Sequence, residues 1–264
     1  MEAPPLATRH DELTLARLDG TCYLRDEKGL LVLSSIEPMT FSRAVTPSKW
    51  CVLLLLSLFG STWGCSTNLN VRVRRLDNGL LQVDGPMAGP FPTLEALATN
   101  ACEFMTSQPG ASNGKYGSEY CALYYHSRDG GGYFLSYLSD IKGRPDSVEK
   151  SCSLPSSLSD PNHEDALVLG GAHTHPHNRR FSPKDTSVWA HWIPTRFVEK
   201  KSGQVFDRKL LMFFRERTGE CRAYSYNNFS RIISALRDGE WVPIGKAYTD
   251  NGDVEMFEGK DWLP

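Results

Sequence analysis

The sequence predicts an α/β or α+β fold, and three observations predict it. Segments with apolar residues at helical spacing interleave along the chain with segments of strand character. Turn signals such as Asp77-Asn-Gly79 and Arg217-Thr-Gly219 separate them. An apolar strand, residues 166–172, leads into His173-Thr-His175, and a helix start at Ser182-Pro183 follows shortly after.

With 264 residues, the natural division is one catalytic-sized domain plus an N-terminal appendage. Hydrophobic residues make up 40% and charged residues 23%, which is ordinary for a globular chain. A net charge of -2 lacks the basic footprint of a nucleic-acid binder, so no nucleic-acid partner is expected. Arg72, Arg74 and Arg75 read as solvated strand positions. None of the seven cysteines forms a CxxC pair, which excludes a zinc ribbon or a thioredoxin-like motif.

The most apolar stretch is residues 51–59. It is far shorter than the roughly 20 residues that cross a bilayer and has the length of a signal-peptide apolar region. Arg43 and Lys49 precede it, and Gly60-Ser-Thr-Trp-Gly-Cys65 follows. This resembles a bacterial lipoprotein signal over residues 39–65, with Met39 as its start and Cys65 as the lipidated residue. Residues 1–38 would then be an overextended start. The alternative is a small β-rich element, with a hairpin around Asp26-Glu-Lys-Gly29, followed by a core helix. With the signal, the expected location is the bacterial envelope, anchored to the membrane through a lipid at Cys65; otherwise the protein is cytoplasmic or secreted. Beyond Cys65 the four cysteines Cys102, Cys121, Cys152 and Cys221 could form one or two disulfides in an oxidising compartment.

The remaining elements follow in order. Residues 66–92 read as a hairpin turning at Asn78-Gly79, then a Pro/Gly linker over residues 85–92. The catalytic-sized domain is residues 93–264. Thr93 is an N-cap for a helix to about Ser107, with Leu94, Leu97, Ala98, Ala101, Phe104 and Met105 as its core stripe. Residues 119–126 and 133–138 read as two strands, and residues 142–164 as a long polar loop. Residues 166–175 form the histidine strand, and residues 185–193 carry helix signals. Strands at 210–215 and 221–226 and a helix at 229–237 complete the pattern, leaving a tail without clear period.

His173 and His175 lie two apart on a strand, so both imidazoles project from one face. Ser182, Pro183 and Asp185 suit the N-cap, first and third positions of a helix. That start aims the Asp185 carboxylate back toward the histidines. Two imidazoles and a carboxylate suit zinc, with a fourth position open to water.

These residues resemble a known family. His173-Thr-His175-Pro, followed by Ser182-x-x-Asp185, is similar to the JAMM (JAB/MPN) motif of metallo-deubiquitinases and their bacterial relatives. The loop of residues 176–181 is one residue shorter than the family's. The resemblance covers roughly residues 90–230 and implies a JAB/MPN-like fold, a mixed central sheet flanked by helices with the metal site at a strand end. It also implies zinc on His173, His175 and Asp185, Glu119 as the catalytic base, and Ser182 as a donor to the oxyanion. Glu103 and Glu164 are competitors for the base. His126, His163, His177 and His191 are not expected to be ligands. The implied activity is hydrolysis of a peptide or isopeptide bond in a peptide or protein substrate. The alternatives are an inactive JAB-like binding or scaffold module, or a His-x-His metal phosphoesterase.

Overall fold

The structure, a computed structural model, describes residues 68–142, 150–187 and 205–263, Gly203, and the strands Thr14–Leu18, Thr21–Asp26, Gly29–Val32 and Arg196–Val198. The chain divides into two compact units, Met1–Thr67 and Asn68–Pro264. In the first, β1 (Thr14–Leu18), β2 (Thr21–Asp26) and β3 (Gly29–Val32) form an antiparallel sheet. The β2–β3 turn is the hairpin read around Asp26 and Gly29. The lipoprotein-like segment with Met39, Arg43, Lys49 and Cys65 lies outside the described residues.

The second unit corrects the α/β expectation. It is mostly β, built on a nine-stranded sheet, and among the described residues a single helix exceeds one turn. It opens with β4 (Val73–Arg75) and β5 (Leu81–Asp84), the expected Asn78-Gly79 hairpin. The stretch read as a linker contains β6 (Ala88–Phe91). The helix α1 (Leu94–Thr106) starts where Thr93 Oγ1 accepts the Ala96 amide at 3.1 Å. Then come β7 (Cys121–Ser127), β8 (Gly132–Leu135), β9 (Ser157–Ser159) and β10 (Leu167–Thr174). The turn α2 (Pro183–Thr186) and β11 (Arg196–Val198) follow. The chain ends with β12 (Val205–Asp207), β13 (Leu210–Arg215), β14 (Cys221–Asn227), β15 (Ile232–Arg237), β16 (Glu240–Ala247) and β17 (Val254–Met256).

The main sheet runs β17-β16-β15-β14-β13-β10-β7-β8-β6. Its one parallel pair is β10 with β13. The sheet β4-β5-β9 sits apart, so the loop read over 142–164 contributes a strand paired in parallel with β5. β11 and β12 pair separately.

The helix expected at 229–237 is the strand β15. Phe229, Ile232, Ile233 and Leu236 fall at helical spacing, but over so short a run tertiary pairing overrides the local period. Pairing with β14 and β16 decides it, burying Ile233 and Ala235 on alternate positions. A local signal exists: Asp238 and Gly239 both take positive φ, 50° and 82°, in a two-residue hairpin loop closed by Arg237 opposite Glu240. The helix expected over 185–193 is the single turn α2, capped at Ser187; residues 188–193 lie outside the described residues.

Both faces of the sheet are covered. α1 packs on one face, where Leu97, Ala101 and Met105 join Ala122, Tyr124, Ala172, Leu211 and Phe213 in one cluster. On the other face Phe181, Leu210, Met212, Tyr224, Tyr226, Ile233, Ile244 and Trp262 form a second. This is why 210–213 is an unbroken apolar run: alternate residues enter different cores. Two disulfides tie the unit, Cys102–Cys221 from α1 to β14 and Cys121–Cys152 from β7 to the loop before β9. No helix among the described residues is long and apolar enough to cross a membrane.

Candidate metal centre

β10 carries His173 and delivers His175. Ala172 faces the α1 core, so His173 faces the opposite core, level with Met212 on β13 and Cys121 on β7. His175 lies one residue past the strand but stays in register, because its amide bonds the Phe213 carbonyl at 2.9 Å. Thr174 between them holds the start of β7: its Oγ1 accepts the Tyr120 amide at 3.0 Å, and its own amide bonds the Tyr120 carbonyl at 3.0 Å. Both histidines are buried.

The chain then turns back through residues 176–181 to α2. Ser182 is the N-cap, Pro183 opens the turn, and Asp185 occupies the third position, as the sequence predicts. Asp185 Oδ2 accepts the Ser182 amide at 2.7 Å and the Ser182 hydroxyl at 2.6 Å. Ser182 is thus placed as an anchor of the ligand carboxylate.

The result is a compact cluster. The two Nε2 atoms are 3.0 Å apart. Asp185 Oδ1 lies 3.5 Å from His173 Nε2, and Oδ2 lies 3.5 Å from His175 Nε2. Taken with one ligand atom from each side chain, the three lie within 4.8 Å of one another, close enough for a single ion with ligand distances of about 2.1 Å to sit between them. His173, His175 and Asp185 form a group that could hold a metal ion. Burial raises the Asp185 carboxyl, but the two histidines outweigh it and hold it well below the usual carboxylate range.

Glu119 lies two residues before β7, not at the start of the strand as expected. It is partly buried and interacts electrostatically with both His175 and Asp185. Burial, with Asp185 adding to it, pushes its carboxyl up to about 7 against the lowering pull of His175, the Cys152 amide and Lys150. The competing glutamates are elsewhere: Glu103 is paired with Arg215 on the surface, and Glu164 is exposed in a turn. His163 is bonded to Asp160 at 2.7 Å, His126 packs on Tyr133 and Phe206, and His177 is exposed. His191 lies outside the described residues.

No protein-family model, no curated protein and no solved structure matches this chain. The site therefore stands on its own geometry.

That geometry depends on residues the sequence did not single out. Phe181 packs 6.2 Å from the His173 ring and 6.3 Å from Trp262, between centroids. Trp262 is fixed in turn by the Tyr224 hydroxyl, which donates to its carbonyl at 2.7 Å. The unpatterned tail is thus part of the wall behind His173. α2 is held from the same direction: Thr186 Oγ1 donates to the Gly252 carbonyl at 2.7 Å, and the Tyr226 hydroxyl donates to the Thr186 carbonyl at 3.0 Å. Gly252 has φ +91°, and a Cβ there would lie 2.5 Å from the Pro183 carbonyl oxygen. Gly252→Ala is expected to destabilise the fold by about 2–4 kcal/mol, combining a disfavoured backbone with a forced shift of α2. It should also weaken metal retention against a chelator; unchanged denaturation and unchanged retention would refute the role of this contact.

Proposed function

We propose that this chain is a zinc-dependent hydrolase of a peptide or isopeptide bond. The observation that carries the reading is the convergence of His173, His175 and Asp185, whose ligand atoms lie within 4.8 Å of one another, with a half-buried Glu119 carboxylate that interacts electrostatically with His175 and Asp185. The motif's resemblance to the JAMM pattern supports the same reaction class, although the fold is mostly β.

Zinc bound there would act as a Lewis acid, polarising the carbonyl and bringing the pKa of water toward 7. Glu119 takes a proton from the attacking water and passes it to the leaving nitrogen, so that one water is consumed and a carboxylate and an amine are released. In the metal-free site burial, with Asp185 adding to it, raises its proton affinity toward neutrality. Ser182 keeps Asp185 aimed at the histidines. For Ser182 to donate to an oxyanion as well, its hydroxyl would have to rotate away from Asp185. Two disulfides support an oxidising compartment, in keeping with the envelope location and the lipid anchor at Cys65 that we include in this proposal.

The test is metal content by mass spectrometry on the full chain, His173→Ala and Asp185→Ala. About one zinc per chain is expected in the parent and none in either variant. Folded parent that takes up no zinc on titration would overturn the reading. Zinc uptake without cleavage of any peptide library would leave a binding module.

A further inference from the structure

Glu119 is held by a stretch of chain that no ladder joins to its own strand. Residues 150–156 run as coil before β9. Leu154 packs on the core behind the metal cluster, the Ser153 amide bonds the Ile141 carbonyl at 2.7 Å, and the Ser156 amide bonds the Leu81 carbonyl at 2.8 Å. These contacts fix the far side of the stretch. The near side is fixed by the Cys121–Cys152 bond. Cys121 is the Cα partner of His173 across the β7–β10 ladder. Directly opposed residues of neighbouring strands project from the same face, so the disulfide leaves β7 on the side of the metal cluster. Its other end, Cys152, donates its backbone N–H to the Glu119 carboxylate, and Lys150 adds a positive charge from the same stretch.

We propose that the Cys121–Cys152 disulfide is a positioning device for Glu119: it clamps the Cys152 amide against the carboxylate and so aims the base at the metal. The inference rests on the hydrolase reading for its catalytic consequence, but not for its geometry. β7 flanks His173 through Cys121, but it is joined to β10 by backbone ladder bonds that do not need the disulfide, and β13, Ser182 and the C-terminal wall hold His173, His175 and Asp185 from the other sides. Opening it should therefore disarm the base and leave the metal in place.

The experiment compares the parent with the double variant Cys121→Ala/Cys152→Ala, in which Cys102–Cys221 is kept. The expected result is unchanged zinc content and KM, with kcat lowered at least tenfold. A readout without activity accompanies it, amide hydrogen exchange at position 152 in the zinc-loaded protein. Exchange should be slow in the parent and fast in both the double variant and Glu119→Ala. Should the double variant not fold, the parent is treated with a graded amount of a dithiol, which becomes a cyclic disulfide as two protein thiols form. The fraction of Cys121–Cys152 opened, read by alkylation and peptide mapping, should then track the loss of kcat, and reoxidation should restore it. Unchanged kcat with the bond absent overturns the proposal, as does loss of zinc together with kcat, which would assign the bond to the ligands instead. A parent that binds zinc and cleaves nothing defeats the hydrolase reading alone, and the exchange data then decide the clamp.

Discussion

Glu119→Gln is expected to lower turnover by about a hundred- to ten-thousand-fold while zinc stays bound. Gln keeps the size and one acceptor oxygen, so the Cys152 amide retains a partner, but the side chain can no longer take a proton. None of the ligand contacts of His173, His175 and Asp185 involves Glu119. A variant that turned over at the parent rate would remove Glu119 from the mechanism. The pH dependence has a defined sign. Only the ionised carboxylate acts as base, and burial places its midpoint at about 7; a bound cation can only lower it. The rate of the parent should therefore fall as pH drops through a limb at or below about 7, and the variant should lack that limb. Stability of the metal-free protein carries the opposite signature. A carboxyl raised in the folded state from 4.5 to about 7 favours folding fully below 4.5, and that contribution is lost as pH rises to about 7. The difference in denaturation midpoint between parent and Glu119→Gln should change across that window and be flat outside it.

Removal of the other disulfide should have the largest effect on stability. Cys102–Cys221 closes 119 residues of sequence separation, which the chain-entropy relation converts to about 5 kcal/mol. For a unit of this size that is a drop in melting temperature of about 10–20 °C. The bond joins α1 to β14 at a corner where Arg215 Nε also donates to Thr106 Oγ1 at 3.0 Å. In Cys102→Ala/Cys221→Ala the helix keeps Leu97, Ala101 and Met105 in the core, so the variant should remain folded at low temperature with its zinc. A melting temperature within about 3 °C of the parent would show that the bond constrains the unfolded chain little.

The site was far more legible than the fold. His173, His175, Ser182 and Asp185 fall within thirteen residues, and each rests on a local rule: strand alternation for the histidines, capping chemistry for the turn. Local rules also gave α1 and the Asn78-Gly79 hairpin. Where the sequence reading erred, the pattern was short or the partner distant. The stretch 229–237 carries a short helical pattern that pairing with β14 and β16 overrides. The segments 85–92 and 157–159 are too polar or Pro-rich to read as strands. β16 and β17 alternate weakly because one side is partly exposed. No local feature marks Glu119 as half-buried; only its order before the histidine strand and the family resemblance single it out.

By itself the sequence determined which side chains share a face at the end of β10, that a capped turn returns a carboxylate to them, and that four cysteines lie beyond Cys65. Only the tertiary structure decided that the scaffold is a nine-stranded sheet, because strand pairing joins residues far apart and no local period records it. It alone set the cysteine pairs, since four thiols admit three pairings and the spacing favours none. It alone packed Phe181 and Trp262 behind His173 and set Gly252 against α2, because each acts through burial or a contact whose partner is distant in the chain.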